Sequence, residues 1–363
     1  MRPFDSQRIL LGVTSGTASY GAAWLARRPT RASSDVDVVL ARAASDFTGA
    51  ATCEELTGRP VHTALIAPGR ALNHIALARA AQLVVVLPVT ADLLARAVSG
   101  LGDNLLSACL LATRAPASLV PVINDRVRAH PQVRRNAWAA RAVGYHVRDR
   151  ANGALAAGAG SHPGRMPDSA SIKVRHARLL ERPAALEGRS VLTTAGPPRE
   201  ATNPIRFRSN RSSERMGVTS ACAEWRRGAE VTRGMAAAPA DFTVAAPANN
   251  KIKKSSAASS LALLRTDRIL FTIHAARPTS CATVGFALKT DDARAEAHRK
   301  LADNGLNLIV TNDALEEGAG FAVDLNRVTI VHEDGREEGL SLQSKTQLAD
   351  QILDRVEVLP HGR

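Results

Sequence analysis

Short, unbroken apolar runs recur through the first half of the chain. Each leads into a small-residue or proline loop and then, in most cases, a helical pattern. RILLGV (residues 8–13) passes through TSGTASYG into AAWLARR, and DVDVVL (35–40) is a second run. AQLVVVLPVTADLLARAVSG repeats the arrangement around Pro88 and Thr90, and ASLVPVIND and GYHVRD follow. Strands of this continuous Val/Leu/Ile type are buried on both faces, and alternation with helices makes them parallel. The prediction is an α/β fold with a doubly wound sheet and helices on both faces. Ligands of such sheets sit outside the carboxyl ends of the strands. The loops at residues 14–17, 88–92 and 121–124 all follow strands and are therefore placed to line one crevice.

The helical stretch IKVRHARLLERPAALEGRS breaks at Pro183 and runs into a linker that ends at Gly188. From SVLTTAG the alternation restarts: a helix over 216–227, strands at GAEVT and SCATVGFAL, a helix over 292–303, strands at LNLIVTND and RVTIVHEDG, and a closing helix over 344–356. The chain therefore divides into two domains, 1–183 and 184–363, each with a mostly parallel sheet. A length of 363 residues agrees with that division.

A formal charge of +13 points to anionic partners such as phosphates, nucleotides or nucleic acid. Only 3% of residues are aromatic, which argues against a base-stacking surface. Cys53, Cys109, Cys222 and Cys281 form no CxxC pair, so zinc of the usual spacing has no support and no metal ligand is assigned. Their bland reading is reduced thiols in a cytoplasmic protein. No apolar run reaches the ~18 residues of a membrane span, and none at the N-terminus precedes a cleavage site. The reading is a soluble cytoplasmic protein without a membrane partner.

Within GVTSGTASYG, Gly12, Ser15 and Gly16 stand between a strand and a helix, where small residues let backbone N–H groups approach a phosphate. Close packing explains such glycines equally well. Thr90 and Asp92 suit a ligand or a helix cap. His74, in ALNHIAL, is polar among apolar neighbours; it is a catalyst or a satisfied structural histidine. Asn124 is a loop amide that binds or shapes a turn. AAGAGSHPGRMPD (156–168) carries three glycines and two prolines, so it is neither helix nor strand interior. It reads as a lid with Arg165 as its charged handle and Met166 beside it.

In the second half, TTAGPPREATNPIRFRSNRSSERMG places Asn210, Ser212 and Ser213 before a helix, which suits an oxyanion or a solvated basic loop with a serine cap. NNKIKKSS supplies Lys251, Lys253 and Lys254, either a solvated face or a counter-charge for a triphosphate.

Taken in order, GVTSGTASY, NHIAL, LPVTADLLARAVSGLGDNLL, PVIN and PGRM resemble the flavin-dependent phosphopantothenoylcysteine decarboxylases. That resemblance implies FMN held by Gly12, Ser15, Gly16, Thr90 and Asp92, with His74 acting near the flavin. Asn124, Arg165 and Met166 would hold substrate beneath the lid. The implied reaction oxidises the cysteinyl thiol to a thioaldehyde, releases CO₂ from the adjacent carbon, and returns the electrons from the reduced flavin. TAGPPRE, NPIRF, SNRSS, KIKK and GFA, again in order, resemble phosphopantothenate–cysteine ligase. The implications are CTP activation of the 4′-phosphopantothenate carboxylate and attack by the cysteine amine. Asn210 would contact the carboxylate or acyl intermediate, Lys251 and Lys300 would neutralise phosphate, Asp241 and Phe286 would line the nucleotide pocket, and Mg²⁺ would bridge phosphates. A homo-oligomer is implied as well, because the family's flavin sites lie at a trimer contact.

Three departures accompany the resemblance. Gly158 stands where many lids carry cysteine, and Glu214 stands where the ligase loop carries glycine. Only seven residues, 233–239, join GAEVT to the Asp241 region, where a strand and helix belong. A strand–helix–strand passage needs ~30 residues, so the second domain is expected to lack one βα unit. Two readings follow: a bifunctional decarboxylase and ligase of coenzyme A biosynthesis, or a degenerate flavoprotein homologue that has lost one or both activities and binds a ligand or regulates.

Overall fold

The computed structural model describes residues 4–30, 34–66, 68–69, 71–148, 169–181, 184–234, 237–251, 260–289, 293–313 and 323–359. It divides into two compact units that meet in sequence at residues 182 and 183.

The first unit contains β1 (Arg8–Val13), α1 (Ser19–Thr30), β2 (Asp35–Leu40), α2 (Ala50–Thr57), β3 (Val61–His62), α3 (Asn73–Ala80) and β4 (Leu83–Val89). It continues with α4 (Ala91–Ser99), α5 (Leu105–Ala112), β5 (Ala117–Pro121), α6 (Asp125–Ala129), α7 (Pro131–Ala142), β6 (His146–Val147) and α8 (Ser169–Leu180). Its six strands form one sheet in the order β3-β2-β1-β4-β5-β6, parallel throughout. Alternate strand residues feed two separate cores, as the period of two requires. Ile9, Leu11, Val13, Val38, Leu40 and Val85 pack under α1, α2 and α8. Leu10, Val39, Val84 and Val86 pack under α3, α4, α5 and α7. A Cβ at Gly12 would stand 2.4 Å from Leu106 Cδ1, so this glycine lets α5 close onto the sheet.

His176 of α8 is 2% exposed and its Nε2 lies 2.9 Å from Ser118 Oγ on β5. Burial, reinforced by the Arg148 charge, pushes its pKa down to about 3. An unfolded histidine takes up a proton near pH 6.5, whereas His176 in the folded chain takes it only near 3. Stability therefore falls as pH drops through that window. Between pH 6.5 and 4.5 the wild-type protein is expected to lose about 2 kcal/mol more than His176→Gln in urea unfolding of the first unit. Equal losses would mean the folded protein protonates His176 normally.

The second unit contains β7 (Ser190–Thr194), β8 (Glu200–Ala201), β9 (Phe207–Arg208), α9 (Arg215–Arg226), β10 (Glu230–Gly234), β11 (Phe242–Val244) and β12 (Leu263–Arg265). It closes with α10 (Ile269–His274), β13 (Val284–Lys289), α11 (Ala293–Asp303), β14 (Leu308–Asp313), β15 (Leu325–His332), β16 (Glu337–Ser344) and α12 (Lys345–Glu357). The α/β class holds here too, but the described strands form several small sheets rather than one. β7 pairs with β10 and β13 with β14 in parallel, while β14-β15-β16, β11-β12 and β8-β9 are antiparallel. The short junction explains the break on the β7–β10 side. Seven residues cannot supply a crossover strand, and among the described strands that pair has no further neighbour. Leu192 on β7 is 70% exposed.

The helices are held by caps and by a buried ionic cluster. Ser344 and Gln347 form a capping box on α12, at the start the sequence predicts. Arg226 on α9 is ion-paired with Asp350 on α12, both almost wholly buried. Arg227 Nη2 donates to Asp350 O (2.9 Å) and lies 2.9 Å from Asp354 Oδ1, while Nη1 lies 2.5 Å from Glu357 Oε1. Among the described residues, no helix is long and apolar enough to cross a membrane.

Candidate functional site

The carboxyl ends of β1, β4 and β5 bring the three predicted loops to one side of the first sheet. Thr14 Oγ1 donates to Pro88 O (2.7 Å) and so ties the first loop to the second. Ser19 Oγ donates to Thr14 O (2.9 Å) and to Gly16 O (2.7 Å), which fixes the turn from inside. Gly16 has φ +140, and among the described residues only Pro88 Cγ, at 3.9 Å, comes within 4 Å of the place where a Cβ would stand. The loop thus offers a half-buried, side-chain-free backbone next to Ser15.

Thr90 Oγ1 accepts from Leu93 N (3.2 Å), so it caps α4. Asp92 is exposed and pairs with Arg96 at 2.8 Å, one turn further along the same helix. Asn124 Oδ1 accepts from Arg126 N (2.9 Å) and caps α6. For these three, capping and intrahelical pairing account for the side-chain contacts present. His74 lies in the first turn of α3, the end that follows β3 and faces the same side of the sheet. Its Nδ1 is buried and has no hydrogen-bond partner among the described residues. Its backbone oxygen accepts from Cys109 Sγ (3.7 Å), whose pKa burial pushes up to about 12. That thiol is inert at neutral pH. Arg165, Met166 and the rest of 156–168 lie outside the described residues.

An open glycine backbone at a helix start and an orphaned imidazole nitrogen on one side of the sheet fit a phosphate-bearing cofactor with a polar ring. Gly12 contributes to that fit through packing, since Leu106 occupies the space in front of it.

In the second unit the carboxyl ends of β7 and β10 carry the corresponding loops. On the far side of the junction, Ala237 N donates to Gly196 O (2.9 Å). Asn210 Nδ2 donates to Pro239 O (3.1 Å) and Ala238 O (3.3 Å), two residues before the exposed Asp241. Asn210 is thus tied to the stretch that leads into Asp241. Lys251 is exposed, Phe286 on β13 is 52% exposed, and Lys300 on α11 lies 3.7 Å from Glu296. Among the described residues, no hydrogen bond or ion pair joins these three to Asn210 or Asp241.

Glu214 stands immediately before α9 with φ +59 and ψ −11, in the left-handed region. Its side chain rests on Gly196: Oε1 lies 2.7 Å from the position a Gly196 Cβ would take. The sequence marks Glu214 as out of place but carries no sign of this contact. The Arg226–Asp350–Arg227 cluster was also illegible beforehand; its one trace is a pair of adjacent arginines at the end of an otherwise amphipathic helix.

Residues 2–175 match the family model described as Flavoprotein. Residues 186–233 and 234–359 match the DNA/pantothenate metabolism flavoprotein C-terminal domain, with the match interrupted at the short junction. The coenzyme A biosynthesis bifunctional protein CoaBC of Mycolicibacterium smegmatis is 37% identical over 403 aligned positions, covering 96% of this chain and 97% of that protein. CoaBC of Vibrio parahaemolyticus is 32% identical over 401 positions, covering 99% and 100%. Both alignments exceed the 363 residues of this chain, so part of each relative has no counterpart in it. Among solved structures, the FMN-dependent cysteine decarboxylase SpaF is 25% identical with a TM-score of 0.42, spanning 49% of this chain and 99% of that one. The chain belongs to the CoaBC family of bifunctional coenzyme A biosynthesis proteins.

Proposed function

We propose that this chain converts 4′-phosphopantothenate and cysteine to 4′-phosphopantetheine in two steps. Residues 184–363 form the amide at the expense of CTP, with Mg²⁺ on the phosphates. Residues 1–183 then decarboxylate the product with FMN. The observation that carries the first-unit assignment is the buried, unpartnered His74 Nδ1 on the same side of the sheet as the open Gly16 loop.

FMN supplies the two-electron chemistry when bound. The chain's own residues do the rest. Ser15 and Gly16 present backbone N–H groups to the cofactor phosphate, and Thr14 and Ser19 keep that loop in shape. His74 holds or moves a proton at Nδ1. Asn124, Arg165 and Met166 bind and cover the substrate carboxylate. In the second unit Asn210 orients the acyl group beside Asp241, and Lys251, Lys300 and Phe286 serve the nucleotide. The protein works in the cytoplasm as a homo-oligomer, without a nucleic-acid partner.

The decarboxylase assignment is tested by supplying phosphopantothenoylcysteine directly to the yellow, flavin-loaded protein. Stoichiometric or catalytic CO₂ release is the expected result. A flavin-loaded protein that releases none would favour the second reading, a homologue that binds without turning over.

A further inference from the structure

The first unit carries a hollow of about 420 Å³ between the ends of α3 and α5. α3 leads into β4 and α5 into β5, so the hollow lies at the amino ends of those strands, away from the Gly16 and Thr90 loops. Its volume falls within the range of small-molecule sites. Ala78 and Ala81, both buried, line it together with the half-buried Ile75 and Ala115. Two exposed guanidinium groups, those of Arg79 and Arg114, line it as well. Among the described residues, no acidic side chain does.

Thr113, one residue past α5, fixes the shape. Its Oγ1 donates to Ala78 O (3.3 Å) and accepts from Ala115 N (3.1 Å), which ties the end of α5 to the end of α3. Helix C-termini attract cations, and arginines there often bond the last carbonyls. That does not account for this pair. Leu77 O accepts from Ala81 N, Ala78 O from Thr113 Oγ1 and Cys109 O from Thr113 N. Neither Arg79 nor Arg114 makes a side-chain hydrogen bond or ion pair with a described residue. Arg8, Arg59 and Arg96 of the same unit each pair with an aspartate. Two like charges beside one hollow repel. An anion between them removes that repulsion and accepts charge-assisted hydrogen bonds from both.

We propose that this hollow is a second anion site of the first unit, in which Arg79 and Arg114 hold the phosphate of a phosphate monoester and the alanine floor takes its organic arm. Guanidinium forks match the oxygens of a phosphate. The apolar lining and the volume select an ester over the bare ion. The site shares no residue with the cofactor, substrate or nucleotide positions proposed above, so it stands whether or not either reaction occurs.

The test is calorimetric titration of the full-length, flavin-loaded protein with monobutyl phosphate and with inorganic phosphate. Wild type is expected to bind the ester about three-fold more tightly than the ion, because part of the butyl chain leaves water. Arg79→Gln and Arg114→Gln are each expected to weaken ester binding by about ten-fold, the loss of one charge-assisted contact. Both side chains are exposed and make no contact that holds the fold, so the melting temperature of each variant should match wild type. Ester affinity that is unchanged in both variants would belong elsewhere in the chain and overturn the proposal. Binding seen only in flavin-free protein would place the ester at the cofactor loops and overturn it too. So would absence of binding to wild type with a smaller assembly in the double variant, because a carboxylate of a second copy would then fill the hollow.

Discussion

His74→Asn is expected to leave flavin bound and to lower CO₂ release from phosphopantothenoylcysteine by about 10²–10⁴-fold, the usual contribution of a positioned acid or base. Asparagine keeps a polar side chain of similar reach and cannot carry a proton between solution and substrate. The structure gives a reason to expect so local an effect. His74 lies in the first turn of α3 with its Nδ1 unpartnered among the described residues, so no hydrogen bond to any of them is lost from that atom when it is replaced. The packing of α3 rests on Leu77 and Ala78 instead. Flavin stoichiometry from the absorbance spectrum and CO₂ release at saturating substrate are the two readouts. Unchanged turnover would remove His74 from the chemistry. Loss of flavin and turnover together would make it a binding residue.

Asp350→Ala is expected to destabilise the second unit by about 3–5 kcal/mol, because it removes the buried carboxylate that faces two buried arginine charges. Asp350 is 2% exposed and faces Arg226 and Arg227, each 5% exposed. Burial opposes the charge on Arg227, yet Glu357, Asp354 and Asp350 together hold its pKa above the ordinary value. With Asp350 gone, Arg226 loses its ion pair with that buried carboxylate inside the α9–α12 contact. Arg227 retains Asp354 and Glu357. The check is urea unfolding followed by a probe in the second unit, with flavin absorbance reporting the first. A loss below about 1 kcal/mol would mean that water reaches the cluster and screens it.

The two halves differ in how much the sequence discloses, and the reason is burial. Strands β1, β2 and β4 are covered on both faces, so they appear as continuous apolar runs that admit one assignment. β7 alternates between exposed and half-buried positions, and β16, EEGLSLQS, buries only Leu340. Little in EEGLSLQS separates it from a polar loop. Loop positions that follow strands were legible because topology sends them all to one end of a parallel sheet, which is how Gly16, Thr90 and Asn124 share a side. Their individual contacts were not, since a threonine or asparagine after a strand caps a helix or binds a ligand with the same residue type. Thr90 and Asn124 cap. In the second unit the proposed nucleotide residues come from separate loops, and their meeting depends on long-range packing. Asn210 reaches the Asp241 loop, whereas Lys251, Phe286 and Lys300 make no such link among the described residues. The seven-residue junction was readable by length alone, and the contacts of Ala237, Ala238 and Pro239 with Gly196 and Asn210 required coordinates.

One reaction mixture addresses the whole proposal: purified protein with 4′-phosphopantothenate, L-cysteine, CTP and Mg²⁺, its products read by mass spectrometry. The expected product is 4′-phosphopantetheine, with phosphopantothenoylcysteine building up in His74→Asn. Absence of both species from a folded, yellow protein would contradict the bifunctional assignment.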